Sequence, residues 1–321
     1  MMNMVHGSDH FDGSRFFNPW GVNNEKSLWD VFSWKIKGGA AAWPEKVDTP
    51  KHSLPHPTKD TLTVTWVNHS TFLIQTDSLT ILTDPIWAER CSPVSFAGPK
   101  RVVEPGVEFD KLPKIDLVLV SHNHYDHLDS ATLKRLSDRD APLILVPLGD
   151  KRWLEGEGVK NLEEMDWYQT RSLGDFKMTF LPAQHWSARG MFDRNHSLWG
   201  SWGVEVGEMK IYHAGDTGLG PHFKEIREKW GRADVAMIPI GAYEPRWFMK
   251  AMHMNPTDAL EAYRILEASY AFGMHLETFQ LTDEAREEPR LEFHKIRPAD
   301  LTDKFEVLQI GESRIFNRPV L

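Results

Sequence analysis

One nine-residue string, SHNHYDHLD at positions 121–129, constrains this chain more than any other feature. It places His122, His124, Asp126 and His127 within six residues, directly after the apolar run DLVLV at 116–120. A short continuous apolar run suits a strand buried on both faces. A turn at the end of such a strand points several side chains into one pocket. Imidazole and carboxylate together suit zinc and other borderline divalent ions. A polar turn with coincidental histidines is the competing account, and further ligand types downstream count against it.

The segments around that string alternate between strand and helix. From position 61, LTVTWV, TFLIQT and LTILTD are three short β-rich runs separated by turn residues, as in a meander. SATLKRLSD has helical spacing of Leu133 and Leu136, and PLILVP at 142–147 reads as another buried strand. The second half repeats this texture. MTFLP, SWGVEV, MKIYHA and DVAMIPI read as strands and FKEIREKW as a helix. PTDALEAYRILEA is the clearest helix, with Pro256 near its start and Ala259, Leu260, Tyr263 and Leu266 on one face. Strands with interspersed helices in both halves predict two sheets packed together with helices outside. Residues 1–60 have few periodic runs, and Pro44, Pro50, Pro55 and Pro57 mark a non-helical connection. We therefore expect an aromatic-rich N-terminal extension over 1–60 and a catalytic domain over 61–321.

Composition narrows the partners. A net charge of −9 argues against a nucleic-acid partner, which usually meets a basic face. It does not exclude an anionic substrate, because bound metal ions reverse the local field. The single cysteine, Cys91, allows no internal disulfide, the N-terminus has no secretion-signal pattern, and no stretch approaches the roughly 20 apolar residues of a membrane span. A cytoplasmic protein is the expectation. Many of the aromatic residues fall early: Phe11, Phe16, Phe17, Trp20, Trp29, Phe32, Trp34 and Trp43. Burial of this arm against the domain or a dimer partner is the plainer reading. The other is peripheral membrane contact through residues 11–43. There Leu28, Val31 and Phe32 share a helical face widened by Trp29, Trp34 and Ile36, with Lys26, Lys35 and Lys37 close by. His6, His10, His52, His56 and His294 have no ligand-like setting and are expected at the surface.

Three further residues complete a pattern: His185 in PAQHW, Asp216 in HAGDTG and His275 in GMHLETF, each just after an apolar run. The order HxHxDH…H…D…H resembles the metallo-β-lactamase superfamily. That resemblance implies an α/β fold, the four-layered αβ/βα sandwich, with two metal ions at one edge of the sheets. It implies that His122, His124 and His185 hold one ion, that Asp126, His127 and His275 hold the other, and that Asp216 bridges them. Zinc is the expected metal, with manganese or iron(II) as alternatives.

FDGSRFFNP, DPIWAERCSPVSFAGPKR, PAQHWSAR, LWGSW and GAYEPRWFMKAMHMNP are similar to the N-acylphosphatidylethanolamine phospholipase D branch over nearly the whole chain. Two departures stand near the expected pocket: Asn68 where the branch commonly has Gly, and Leu276-Glu277 where it tends to have Trp and Gly. The resemblance implies hydrolysis of a small-molecule or lipid phosphodiester by a two-metal mechanism, in which the ions lower the pKa of water to about 7. Asp126, His69 and His253 are the candidate catalytic residues, the two histidines as contacts to the substrate phosphate or leaving group. Asp129 is either a hydrogen-bond acceptor from a ligand imidazole or a helix N-cap, and Tyr125 packs beside the metals. Two alternatives stand beside this reading. One is a sugar-phosphate lactonase or nucleotide phosphodiesterase of the same fold; the other is a non-catalytic metal-binding regulatory protein.

Overall fold

The computed structural model describes residues 9–21 and 28–318. Strands β1 (Thr61–Asn68), β2 (Thr71–Gln75), β3 (Thr80–Thr83), β4 (Leu117–Leu119), β5 (Leu143–Pro147) and β6 (Leu162–Met165) come from the first half. The second half supplies β7 (Thr170–Leu173), β8 (Phe176–Leu181), β9 (Ser201–Val206), β10 (Met209–His213), β11 (Val235–Pro239), β12 (Tyr270–Met274), β13 (Phe305–Glu306) and β14 (Ser313–Asn317). They form two seven-stranded sheets, ordered β14-β1-β2-β3-β4-β5-β6 and β13-β12-β11-β10-β9-β8-β7. Each sheet has the same plan of three antiparallel pairings followed by three parallel ones. The exchange that makes this possible is β14, which returns to pair with β1.

Side-chain alternation sorts the layers. In the first sheet Val64, Trp66, Phe72, Ile74, Ile81, Leu117 and Leu119 join the large core that also holds the second sheet's residues. Their neighbours Val67, Leu73, Leu82 and Val118 face the opposite way and pack with Leu133 and Leu136 of the helix Ser130–Asp140. Successive strand residues point to opposite faces, so apolar residues on both faces give a sheet covered twice. The helices His222–Lys229 and Pro256–Ile265 bury Phe223, Ile226, Leu260 and Tyr263 in that large core on the second sheet's side. The result is the expected αβ/βα sandwich.

Residues 9–21 are stitched to this body. Phe16 enters the core. His10, expected at the surface, is buried: it stacks on Trp167 with ring centroids 4.2 Å apart, and its Nε2 lies 2.8 Å from Asp166 Oδ1. Trp167 and Asp166 stand more than 150 residues away in sequence, so no local pattern signals the burial against them. His52, His56 and His294 are exposed as expected, and His6 lies outside the described residues. The helix Leu28–Lys37 sets Trp34 against Phe248 (centroids 5.0 Å) and donates Trp34 Nε1–H to Asp283 (2.7 Å), while Trp29 and Ile36 are exposed. The side chains of Leu28, Val31, Phe32, Lys35 and Lys37, and the whole of Lys26, lie outside the described residues. Among the described residues no helix is long and apolar enough to cross a membrane.

Candidate metal centre

Every residue of the expected ligand set sits just beyond the carboxyl end of a strand. His122 to His127 follow β4, His185 follows β8, Asp216 follows β10 and His275 follows β12. This edge is where open α/β sheets collect ligands. Two clusters form there. His124 Nδ1 lies 2.9 Å from His122 Nε2 and 3.2 Å from His185 Nε2. Asp126 Oδ2 lies 3.0 Å from His69 Nε2, 3.2 Å from His275 Nε2 and 3.4 Å from His127 Nε2. Asp216 Oδ2 joins them, at 3.1 Å from His275, 3.3 Å from His127, 3.8 Å from His185 and 4.0 Å from His122. His127 Nε2 and Asp216 Oδ1 are buried with no hydrogen-bond partner. Buried polar atoms are normally satisfied. Convergent lone pairs left over in this way, on nitrogen and carboxylate donors, fit divalent cations.

The far sides of the candidate rings are held as metal-binding imidazoles usually are. Asp84, just after β3, sets Oδ2 2.8 Å from His127 Nδ1 and accepts from the Ser121 amide and hydroxyl, both at 2.7 Å. Ser121 Oγ stands 3.0 Å from His122 Nδ1, and the Met252 carbonyl 3.1 Å from His185 Nδ1. Asn18, from the N-terminal arm, donates to the His185 carbonyl at 3.0 Å. Sequence reasoning did not single out Asp84, Ser121 or Asn18. Their signals, an aspartate closing a strand and an asparagine inside FFNPW, are weak alone.

The family description "Beta-lactamase superfamily domain" matches residues 80–276, which span all seven expected ligand positions. An N-acyl-phosphatidylethanolamine-hydrolyzing phospholipase D of Caenorhabditis elegans is 40% identical over 266 residues, covering 78% of this chain and 75% of the worm protein. The chain belongs to the N-acylphosphatidylethanolamine phospholipase D-like branch of the metallo-β-lactamase superfamily. A metal-dependent hydrolase of Methanopyrus kandleri is 30% identical over 256 residues, covering 78% of this chain and 98% of its own length. Igni18, a metallo hydrolase of the archaeon Ignicoccus hospitalis, has the same fold: TM-score 0.60 at 23% identity over 80% of this chain and 99% of that one. As a member of this superfamily the chain is a metal-dependent hydrolase.

Within the superfamily site, charges balance before any cation arrives. Burial pushes Asp126 and Asp216 up, but His127 and its neighbouring imidazoles outweigh it and hold both carboxyls well below their usual range. Burial pulls His127 and His275 down, but Asp216 and Asp126 reverse this, leaving His127 well above the usual histidine value and His275 pushed up to about 9. The remaining rings stay neutral: burial lowers His69 to about 3 and His124 and His253 to about 4, and holds His122 and His185 well below the usual histidine value.

For Asp129 the structure decides between its two readings. Asp129 contacts no ligand imidazole. It caps the helix Ser130–Asp140 by accepting from the Ala131 and Thr132 amides, and it also accepts from the Trp87 and Ala88 amides. The carboxylate that steadies a ligand ring is Asp84 instead. Tyr125 donates its hydroxyl to the Arg189 carbonyl at 2.9 Å and packs near Ile86, Cys91 and Phe279. His69 is enclosed, its Nε2 spent on Asp126 and its ring 4.1 Å from that of His275, so it faces a ligand rather than an open pocket. His253 keeps some exposure and holds Nδ1 3.8 Å from Asp216 Oδ2. Beside the centre, Trp186 meets His124 edge-on at 4.3 Å and belongs to an apolar cluster with Phe248, Met249, Met252 and Trp34.

Proposed function

We propose that this hydrolase is a dinuclear, zinc-dependent phosphodiesterase of the phospholipase D type, acting on N-acylphosphatidylethanolamine or a related lipid phosphodiester. The observation that carries the metal count is Asp216 Oδ2, within 4.0 Å of His122, His185, His127 and His275. A carboxylate shared by both clusters suits two ions, one held by His122, His124 and His185 and the other by Asp126, His127 and His275. When bound, the ions supply Lewis acidity and a water activated near neutral pH. Two dications bring +4 and the two carboxylates remove 2, so a net charge of about +2 draws an anionic diester to an acidic chain.

The chain's own residues set the rest. Asp84 and Ser121 orient the rings of His127 and His122. His69 holds the Asp126 carboxylate in place, which we assign to it instead of contact with substrate. His253, neutral at working pH, offers a hydrogen bond to a phosphoryl or leaving-group oxygen rather than a positive charge. The apolar cluster at Trp186, Phe248, Met249 and Met252 favours an acylated substrate over a nucleotide or sugar phosphate. Similarity to the worm phospholipase supports the same choice. We assign catalysis to residues 61–321. The extension over 1–60 adds Trp34 to that apolar cluster and, with Trp29 and Ile36 turned outward, makes peripheral membrane contact from the cytoplasmic side.

Elemental analysis of reconstituted protein tests the metal count, with two zinc equivalents per chain expected. Hydrolysis of N-acylated phospholipid vesicles, bis-p-nitrophenyl phosphate and lactones, compared side by side, tests the chemistry. Asp216→Ala is expected to remove nearly all turnover in a folded protein. Lactone hydrolysis without diester hydrolysis, or an Asp216→Ala enzyme within tenfold of wild type, would sink the reading.

A further inference from the structure

The segment that carries His275 has an anchor of its own. After β12 the chain turns through two non-glycine residues in the left-handed region, His275 (φ 64°) and Glu277 (φ 63°). Such residues are uncommon there because Cβ crowds the backbone, and they persist where the surroundings impose the conformation. Around His275 the backbone does so. Its N–H donates to the His69 carbonyl (3.1 Å), and the Thr278 carbonyl accepts from the Val102 N–H (3.0 Å). Gly241 leaves space for the His275 carbonyl, which a Cβ at that position would strike.

Glu277 supplies the side-chain half of the hold. It is buried, 6% exposed, and reaches the helix Glu288–Ile296, where Arg290 grips it with two bonds, Nε to Oε1 at 2.6 Å and Nη2 to Oε2 at 2.9 Å. Arg290 is fixed in turn by the Val307 and Leu308 carbonyls at 2.6 and 2.9 Å. Arg286 donates Nε–H to the Glu277 carbonyl at 3.0 Å and brings Nη2 to 4.0 Å from Oε2. A bidentate pair fixes orientation as well as distance. Both arginines lie outside the metal centre, so the pair acts on the loop and not on the ions.

We infer that Glu277 is a positioning residue for His275: clamped by Arg290 and Arg286, it fixes the left-handed turn from which His275 presents Nε2 to Asp126 and Asp216. This rests on the reading of His275 as a metal ligand. Removing one partner of a buried pair leaves the other uncompensated, so the turn relaxes when either is lost.

The test is zinc titration against a chromophoric chelator for wild type, E277Q and R290M. E306Q serves as control, breaking the Arg314–Glu306 pair at the β13–β14 edge. Hydrogen exchange of the segment 270–284 is measured in the same proteins without metal. E277Q and R290M are expected to weaken one zinc equivalent about tenfold or more, the usual effect of losing a residue that supports a ligand. They also speed exchange in 270–284, and E306Q changes neither. E277D and R290K, which keep the charges, recover part of the affinity and carry the test if the first pair fails to fold. Wild-type zinc affinity and exchange in E277Q overturn the inference, as does equal weakening of both equivalents in step with a lowered melting temperature. A wild type that holds fewer than two zinc ions sinks the dinuclear reading instead, and the exchange of 270–284 alone then decides the role of Glu277.

Discussion

Asp84 steadies two candidate ligand rings of one segment with one carboxylate, bonding His127 directly and His122 through Ser121. Asp84→Asn puts an amide where an acceptor is needed. It is expected to weaken zinc about 10- to 100-fold while the protein stays folded; undiminished zinc retention in a chelator competition would refute this. His253→Ala is expected to lower diester turnover at full metal content, and a lost metal ion there would mean that His253 is itself a ligand. The candidate ligands could be picked out in the sequence because each histidine or aspartate stood just after an apolar run, and the fold brings them together. Asp84 was not, since an aspartate before Pro85 also reads as a turn former and its imidazole partner lies 43 residues on. Asp129 carried two readings because a cap and a ring acceptor look alike in sequence; the start of a helix at Ser130 decided for the cap.

The helix Leu28–Lys37 shows what an element adds. Its sequence predicted an amphipathic segment but not which side would be covered. Trp34 turns inward to Phe248 and Asp283, whereas Trp29 and Ile36, seven residues apart on one face, turn out. Trp34→Ala is expected to cost about 1–3 kcal/mol, because a partly buried ring and its hydrogen bond are both lost; chemical denaturation measures it. W29S/I36S is expected to reduce sedimentation with phospholipid vesicles while hydrolysis of a soluble diester is unchanged. Equal vesicle binding by that variant would leave the helix a packing element only. Helices at Ser130 and Pro256 were readable from capping and spacing. The pairing of strands across the two halves was not, since it depends on contacts far apart in the chain.

At the scale of the whole molecule, the proposed ligands come from the edges of both sheets: His122 to His127 from the first, and His185, Asp216 and His275 from the second. On the proposed assignment metal would tie the halves together, and chelation is expected to lower the melting temperature. Zinc at a thousand times its dissociation constant adds about 4 kcal/mol per site. pH sharpens this. His275, raised to about 9 without metal, contributes stability that is present below about 6.5 and lost as pH rises through 9. His69, His124 and His253, lowered to about 3 to 4, contribute stability lost as pH falls below about 6.5. Chelated protein is expected to melt highest near pH 6.5. Zinc-loaded protein is expected to lack the alkaline decline, because His275 then carries no proton to lose. Parallel declines in thermal melts from pH 6.5 to 9 would contradict this.

The return of β14 to β1 has a consequence for synthesis. Thr65 and Ser313 meet across that ladder although 248 residues separate them. At about 5–20 residues per second, the outer edge of β1 waits roughly 10–50 s for its neighbour to be translated. Throughout that interval an apolar strand offers an open row of amides and carbonyls to any other nascent chain. The chain's yield in a cell is thus expected to depend on how well that edge is shielded on the ribosome, and slowing translation between β1 and β14 lengthens the exposure.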